Sequence, residues 1–174
     1  MKKILTLFAV VGLIVFSSCE GPEGPPGQNG FDAPIAFVTE TTTDFVGPNY
    51  DKNVSLTGML SGDNILVYEL VSASNEADRW ALLPQIYYFS NGTETAQYNF
   101  TFSKNNVRIF IKGSLSDLSG LPSSFTTKKT FRIVIIPGDD DINAKKSTSK
   151  ADYLDYNAVI KKYNIDDSNV KKLN

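Results

Sequence analysis

The chain has 174 residues, 41% apolar and 21% charged, with a formal net charge of −2, an ordinary globular composition. A weakly acidic chain lacks the basic footprint that nucleic-acid phosphates require. With no histidine and one cysteine it has no Ser-His-Asp or Cys-His relay, no histidine-ligated metal and no internal disulfide.

Lys2 and Lys3 give a positive start, and Ile4 to Phe16 is an apolar run of 13 residues broken only by Thr6 and Gly12. A bilayer span needs about 20 apolar residues, so this run reads as a removable leader rather than a permanent helix. Ser17 and Ser18 supply the small residues that a cleavage site needs. Losing the two lysines takes the formal net charge from −2 to −4. Phe16-Ser17-Ser18-Cys19 resembles the lipobox of bacterial lipoproteins, with Phe16 where leucine is usual. That resemblance implies a diacylglycerol on the Cys19 thiol, a cut before Cys19 and often a further acyl chain on the new amine. Each buried methylene contributes about 0.8 kcal/mol, so two or three chains anchor firmly. An ordinary secretory leader with an incidental cysteine is the alternative. Glu20 follows where, by the same resemblance, aspartate would favour inner-membrane retention, so the expected location is the outer membrane, facing the periplasm or the cell surface.

Gly21 to Asp32 forms four Gly-X-Y triplets. Glycine at every third position is the collagen requirement. Four triplets with no proline after Pro26 read as a stiff, polyproline-like spacer, and a trimer-forming stub is the alternative. A lipobox running directly into Gly-Pro-Glu-Gly-Pro-Pro-Gly resembles a group of small lipoproteins of Bacteroidetes-type bacteria. They carry a short collagen-like stub and then a compact β domain. The stretches Asp63–Leu70, Leu82–Phe89, Gln97–Lys112 and Thr130–Pro137 are similar to that group's strand pattern. The resemblance implies location and architecture and supplies no activity.

Ala33 to Pro137 is patterned as strands. Ile35–Val38 and Val54–Thr57 are short runs, and Asn64–Val71 is apolar on both faces, as a central strand would be. Gln85–Ser90 is aromatic. Tyr98, Phe100 and Phe102 alternate with polar residues, as do Val107, Ile109 and Ile111 with Arg108, Phe110 and Lys112. Ser103 to Asn106 between them predicts a hairpin turn with asparagine at positive φ. Phe131, Ile133 and Ile135 alternate with Arg132, Val134 and Ile136 before Pro137-Gly138 ends the run. About seven strands predict an all-β, immunoglobulin-like antiparallel β-sandwich with a C-terminal α-helix. Trp80 falls in a connection on this reading. Leu115, Leu118 and Leu121, spaced by three, predict a short helical turn over one end of the core, or a loop anchored by leucines.

Ser149-Lys150-Ala151-Asp152 has the form of a capping box, and Tyr153, Tyr156, Ile160 and Tyr163 share a helical stripe. A helix is expected from about Lys150 to Tyr163, stopped by Asn164, with the stripe on the sandwich or, alternatively, on a partner. The expected divisions are residues 1–18 as leader, 19–32 as lipidated cysteine and tether, 33–137 as sandwich, and 138–174 as acidic loop and packed helix.

Three features could carry chemistry. Asp139, Asp140 and Asp141 offer hard oxygens to calcium, but Ala144 and Lys150 stand where an EF-hand needs glycine and glutamate, and a solvated loop is the bland alternative. Beyond that weak calcium site no cofactor is expected. Trp80, Tyr87 and Phe89, with Tyr88 among them, could stack on sugar rings or serve as core and edge packing. Glu69, Glu76, Asp78 and Glu94 could supply a carboxylate pair for hydrolysis, but their spacing selects none. The expected function is therefore a non-enzymatic, lipid-anchored envelope or surface protein with a binding or structural role. Its partners are the membrane, through the anchor, and a protein or glycan. A carbohydrate-binding accessory lipoprotein and a histidine-free hydrolase are the alternatives.

Overall fold

The computed structural model describes residues 35–72, 78–138 and 150–173. The leader, Cys19, the tether, the Asp139–Asp141 loop and Ser149 lie outside the described residues.

The alternating runs form strands in two stacked sheets. In chain order they are β1 (Phe37–Thr43), β2 (Asp51–Ser55), β3 (Asn64–Ser72), β4 (Arg79–Leu82), β5 (Gln85–Phe89), β6 (Glu94–Ser103), β7 (Asn106–Gly113), β8 (Lys129–Ile136) and β9 (Lys171–Leu173). One sheet has the order β4-β3-β8-β1-β9 and the other β2-β7-β6-β5. Every pairing is antiparallel except β1 with β9, which is parallel. The protein is thus an all-β sandwich with a short C-terminal helix. The seven expected strands are present, with two more. Trp80 lies on β4 rather than in a connection, and the tripeptide Lys171-Lys172-Leu173 adds to the edge at β1.

The period of two explains both faces of the five-stranded sheet. Ile65 and Val67 of β3 and Phe131, Ile133 and Ile135 of β8 face the other sheet, where they meet Val54, Ala96, Tyr98, Val107, Ile109 and Ile111. The opposite parity, Val38, Tyr68, Val134 and Ile136, is buried under the C-terminal segment against Tyr156, Val159 and Ile165. The described residues of Pro34–Asn174 therefore form three layers, and β8 lies in the middle one. A strand covered on both faces reads as continuous apolar sequence, which Phe131–Ile136 does apart from Arg132.

The turns follow local chemistry. β6 and β7 join through Lys104-Asn105, neither at positive φ. The expected positive-φ asparagine is therefore not used there. The Leu115–Leu121 connection contains a 3-10 turn at Leu118–Gly120, followed by helix α1 (Ser123–Thr126). Phe125 of α1 plugs one end of the sandwich. Its ring stacks on Tyr98 at 4.4 Å, and the Tyr98 hydroxyl donates to the Phe125 carbonyl.

The expected C-terminal helix is shorter than its stripe suggested. Lys150–Tyr153 is a 3-10 turn, and helix α2 runs only over Tyr156–Lys162. The cap that wins is Asp155, whose carboxylate accepts from the Ala158 amide at 3.2 Å. α2 ends as the sequence implied. Asn164 adopts φ 50°, its amide donates to Lys161, and the Ile165 amide donates to Ile160. This is the paired-bond C-terminal stop, with Ile160 and Ile165 in the same apolar cluster. Tyr156 and Val159 of α2 pack on the sheet, so these side chains are part of a core.

Candidate functional site

Three side-chain groupings stand out, and two of them prove to be internal. The first lies between the sheets. Glu69 is 1% exposed, accepts from the Tyr87 hydroxyl at 2.7 Å, and is 3.1 Å from the Lys129 ammonium. Burial, reinforced by the hydrogen bond to Glu69, raises the Tyr87 hydroxyl above its ordinary range. A buried carboxylate is tolerated only when paired and hydrogen-bonded, and this one is both. Sealed in this way, Glu69 is part of the core between the sheets.

The second grouping is centred on Arg132, on the outer face of the five-stranded sheet. Its Nε donates to Glu40 at 3.2 Å, and its NH1 donates to the Tyr156 hydroxyl at 2.6 Å and to Asp167 at 3.1 Å. The guanidinium covers the Trp80 ring. Burial opposes the Arg132 charge, but Tyr156 and Glu40 outweigh it and its affinity for the proton is raised. This cluster ties α2 and the chain after it to β1, β4 and β8.

The third grouping is open to solvent. On the outer face of the four-stranded sheet, Ile86 (54% exposed) and Tyr88 (69% exposed) project from the edge strand β5. Cross-strand register sets Ile86 beside Gln97 and Gln97 beside Lys112, while Asn99 lies beside Phe110. A shallow groove of about 280 Å³ runs among Ile86, Tyr88, Thr95, Gln97, Lys112 and Gly113. Its end is shaped by Gly113, where a side-chain carbon would stand 2.3 Å from the Thr95 carbonyl oxygen. Further along β7, Arg108 is paired with Asp51 at 2.6 Å and lies over the Phe110 ring at 5.1 Å. Lys112 has no carboxylate partner, and the side chains of Tyr88 and Gln97 make no hydrogen bond within the described residues.

The aromatic residues singled out from the sequence do not share a surface. Tyr87 and Phe89 point between the sheets, each 5.2 Å from Phe125. Trp80 is on the other sheet, 5.6 Å from Tyr156. The residue that does project is Tyr88, one position away. Parity decides this: Tyr87 pairs with the buried Ala96, so Tyr88 must face outward.

Of the four carboxylates considered for hydrolysis, Glu69 is sealed and Glu94 accepts from Ser90 at 2.5 Å. Asp78 is exposed, and Glu76 lies outside the described residues. Among the described residues no cluster of three metal-ligating side chains occurs, and no helix is long and apolar enough to cross a membrane. Comparison of the chain with protein-family models, with curated proteins and with solved structures finds no match.

Proposed function

We propose that the chain is a lipid-anchored protein of the bacterial envelope whose β-sandwich works by contact and not by catalysis. The observation that carries the anchor is Phe16-Ser17-Ser18-Cys19 placed behind a basic start and a short apolar run, with Cys19 the sole thiol. Glu20 after the cysteine is compatible with the outer membrane, and the Gly-X-Y segment serves as a spacer between lipid and domain.

Contact rather than chemistry is supported by how the carboxylates are spent. Glu40 and Asp167 hold Arg132, Asp51 holds Arg108, and Glu69 holds Lys129 and Tyr87. Asp63, Asp117, Asp155 and Asp166 each accept from a backbone amide in a turn or cap, and Asp44 accepts from the distant Lys128 amide at 2.7 Å. The open polar and aromatic surface is the face bearing Tyr88, and it is the surface this reading gives to a partner.

Intact-mass measurement of protein from its native host tests the anchor. The expected species begins at Cys19 and carries a diacylglycerol, with or without an amide-linked acyl chain. Cys19→Ser should accumulate as the uncut, unlipidated precursor. A soluble mature form with a free thiol would overturn the proposal.

A further inference from the structure

We infer that the outer face of the four-stranded sheet, from Tyr88 to Phe110, is a binding site for a linear acidic polysaccharide, an inference that rests on the contact role proposed above. Three observations combine. Two aromatic rings lie at the ends of the face: Tyr88, more than two-thirds exposed, and Phe110, half-buried and with the Arg108 guanidinium over one side of its ring. Between them β6 presents Thr95, Gln97 and Asn99 on the same parity, and the Gln97 amide makes no side-chain hydrogen bond among the described residues. Among the described residues Lys112, beside Gln97, is a cation with no carboxylate partner.

The chemistry of each part selects the ligand. A sugar ring has a flat face of C–H groups that buries against an aromatic ring, and a rim of hydroxyls that a carboxamide can both donate to and accept from. Tyr88 and Phe110 are two strands and about four residues apart, or roughly 16 Å at ordinary sheet dimensions. A single sugar cannot touch both, whereas an extended chain can. Lys112 lies between them, so a carboxylate on the sugar completes its charge. A peptide is a poorer fit to this face. β6 is hydrogen-bonded on both sides, by β5 and β7, so its backbone has nothing to offer a peptide's amides.

Affinity electrophoresis of the full-length mature lipoprotein in non-ionic detergent tests the site. Gels are cast with polygalacturonate or alginate, and with hydroxyethylcellulose as the neutral comparison. Retardation by at least one of the acidic polymers is expected, weakening as salt is raised. Tyr88→Ala and Lys112→Gln should each reduce the affinity about tenfold or more. Leu60→Ala, which removes an exposed apolar side chain elsewhere, should not. All three positions are exposed, so the variants should keep the parent's circular dichroism and melting temperature. Retardation by neither acidic polymer would overturn the assignment, as would retardation by the neutral polymer alone. Unchanged affinity in folded Tyr88→Ala would do the same. None of these results alters the acyl mass on Cys19, so the site can fail while the anchor stands.

Discussion

The guanidinium carbon of Arg132 lies 4.3 Å from the centre of the Trp80 ring, joining the middle strand of a sheet to its edge strand. The same group donates to Tyr156 and Asp167 from the C-terminal segment and to Glu40 from β1. One side chain, 14% exposed, thus holds four elements. Arg132→Ala should cost about 2–4 kcal/mol, because it leaves Glu40 with only the largely exposed Lys172 at 3.9 Å and takes the cation from Asp167 and the Tyr156 hydroxyl. Arg132→Lys should recover only part of this, since an ammonium cannot fork to several acceptors while stacking on indole. Urea unfolding followed by the fluorescence of Trp80, the single tryptophan, measures both. Arg132→Ala should also expose the segment after Lys150 to proteases. A loss under about 0.5 kcal/mol would show that apolar packing alone holds that segment.

The pair between the sheets gives a sharper test. Glu69→Leu alone strands the Lys129 ammonium and the Tyr87 hydroxyl, and should destabilise by about 3–5 kcal/mol. Combining it with Lys129→Met and Tyr87→Phe removes all three polar partners together and should restore most of the loss. Denaturant midpoints at constant slope would reveal the recovery. A triple variant as unstable as the single one would mean that the cluster's packing, not its charge, sets the cost.

How much of this was legible in the sequence depends on what each element needs. β6 and β7 are long and alternate cleanly, so period two alone finds them, while β3 and β8 are found as nearly continuous apolar runs, the pattern of strands covered on both faces. β4 and β9 show neither pattern: Arg79-Trp80-Ala81-Leu82 is four residues, and Lys171-Lys172-Leu173 has no apolar alternation. Both exist because a sheet edge was available, which is a tertiary fact. The C-terminal stripe was visible, but the cap that starts α2 was not. Asp155 competes with the Ser149–Asp152 box, and only the path of the chain over the sheet decides between them. The aromatic site shows the same limit. Tyr87, Tyr88 and Phe89 are adjacent in sequence, and which of them faces solvent is fixed by register with β6, not by composition.

Three buried tyrosines and the half-buried Tyr87 predict how the fold responds to alkali. Tyr68, Tyr87, Tyr98 and Tyr156 all hold their protons more tightly than an ordinary phenol, in each case chiefly because burial disfavours the phenolate. Asp167 adds to this at Tyr156, where Arg132 works in the opposite direction. A folded-state pKa raised above the unfolded value of about 10 means that the unfolded chain gives up its protons first. Stability from these groups is therefore complete below about pH 10 and drains away as the pH rises beyond it. In a phenolate absorbance titration, these four of the eight tyrosines should ionise only together with unfolding, seen as a coincident loss of the β-sheet signal. Reversible ionisation of all eight in a folded protein would contradict the burial that the fold assigns them.

Two side chains in β1 are out of keeping with their surroundings, and they predict a gain. Thr39 and Thr41 sit on the parity that faces the other sheet, 5% and 1% exposed, and the Oγ1 atom of each has no hydrogen-bond partner among the described residues. A hydroxyl withdrawn from water without a partner is destabilising, and in a strand valine fills the same space with a methyl group and equal or better β preference. Neither threonine caps a helix or closes a turn, so no local bond is lost with it. Thr41→Val, the more deeply buried of the two, should stabilise the protein by about 1 kcal/mol, and Thr39→Val by a similar or smaller amount. The two hydroxyls share no hydrogen bond, so their effects should combine close to additively. Thermal unfolding of the single and double variants measures this as an upward shift of a few degrees. A clear loss on Thr41→Val would mean that its hydroxyl is satisfied in solution, most simply by a water held between β1 and the opposing sheet. The shallow opening near Phe37, Thr39 and Lys171 is the route by which that water would enter.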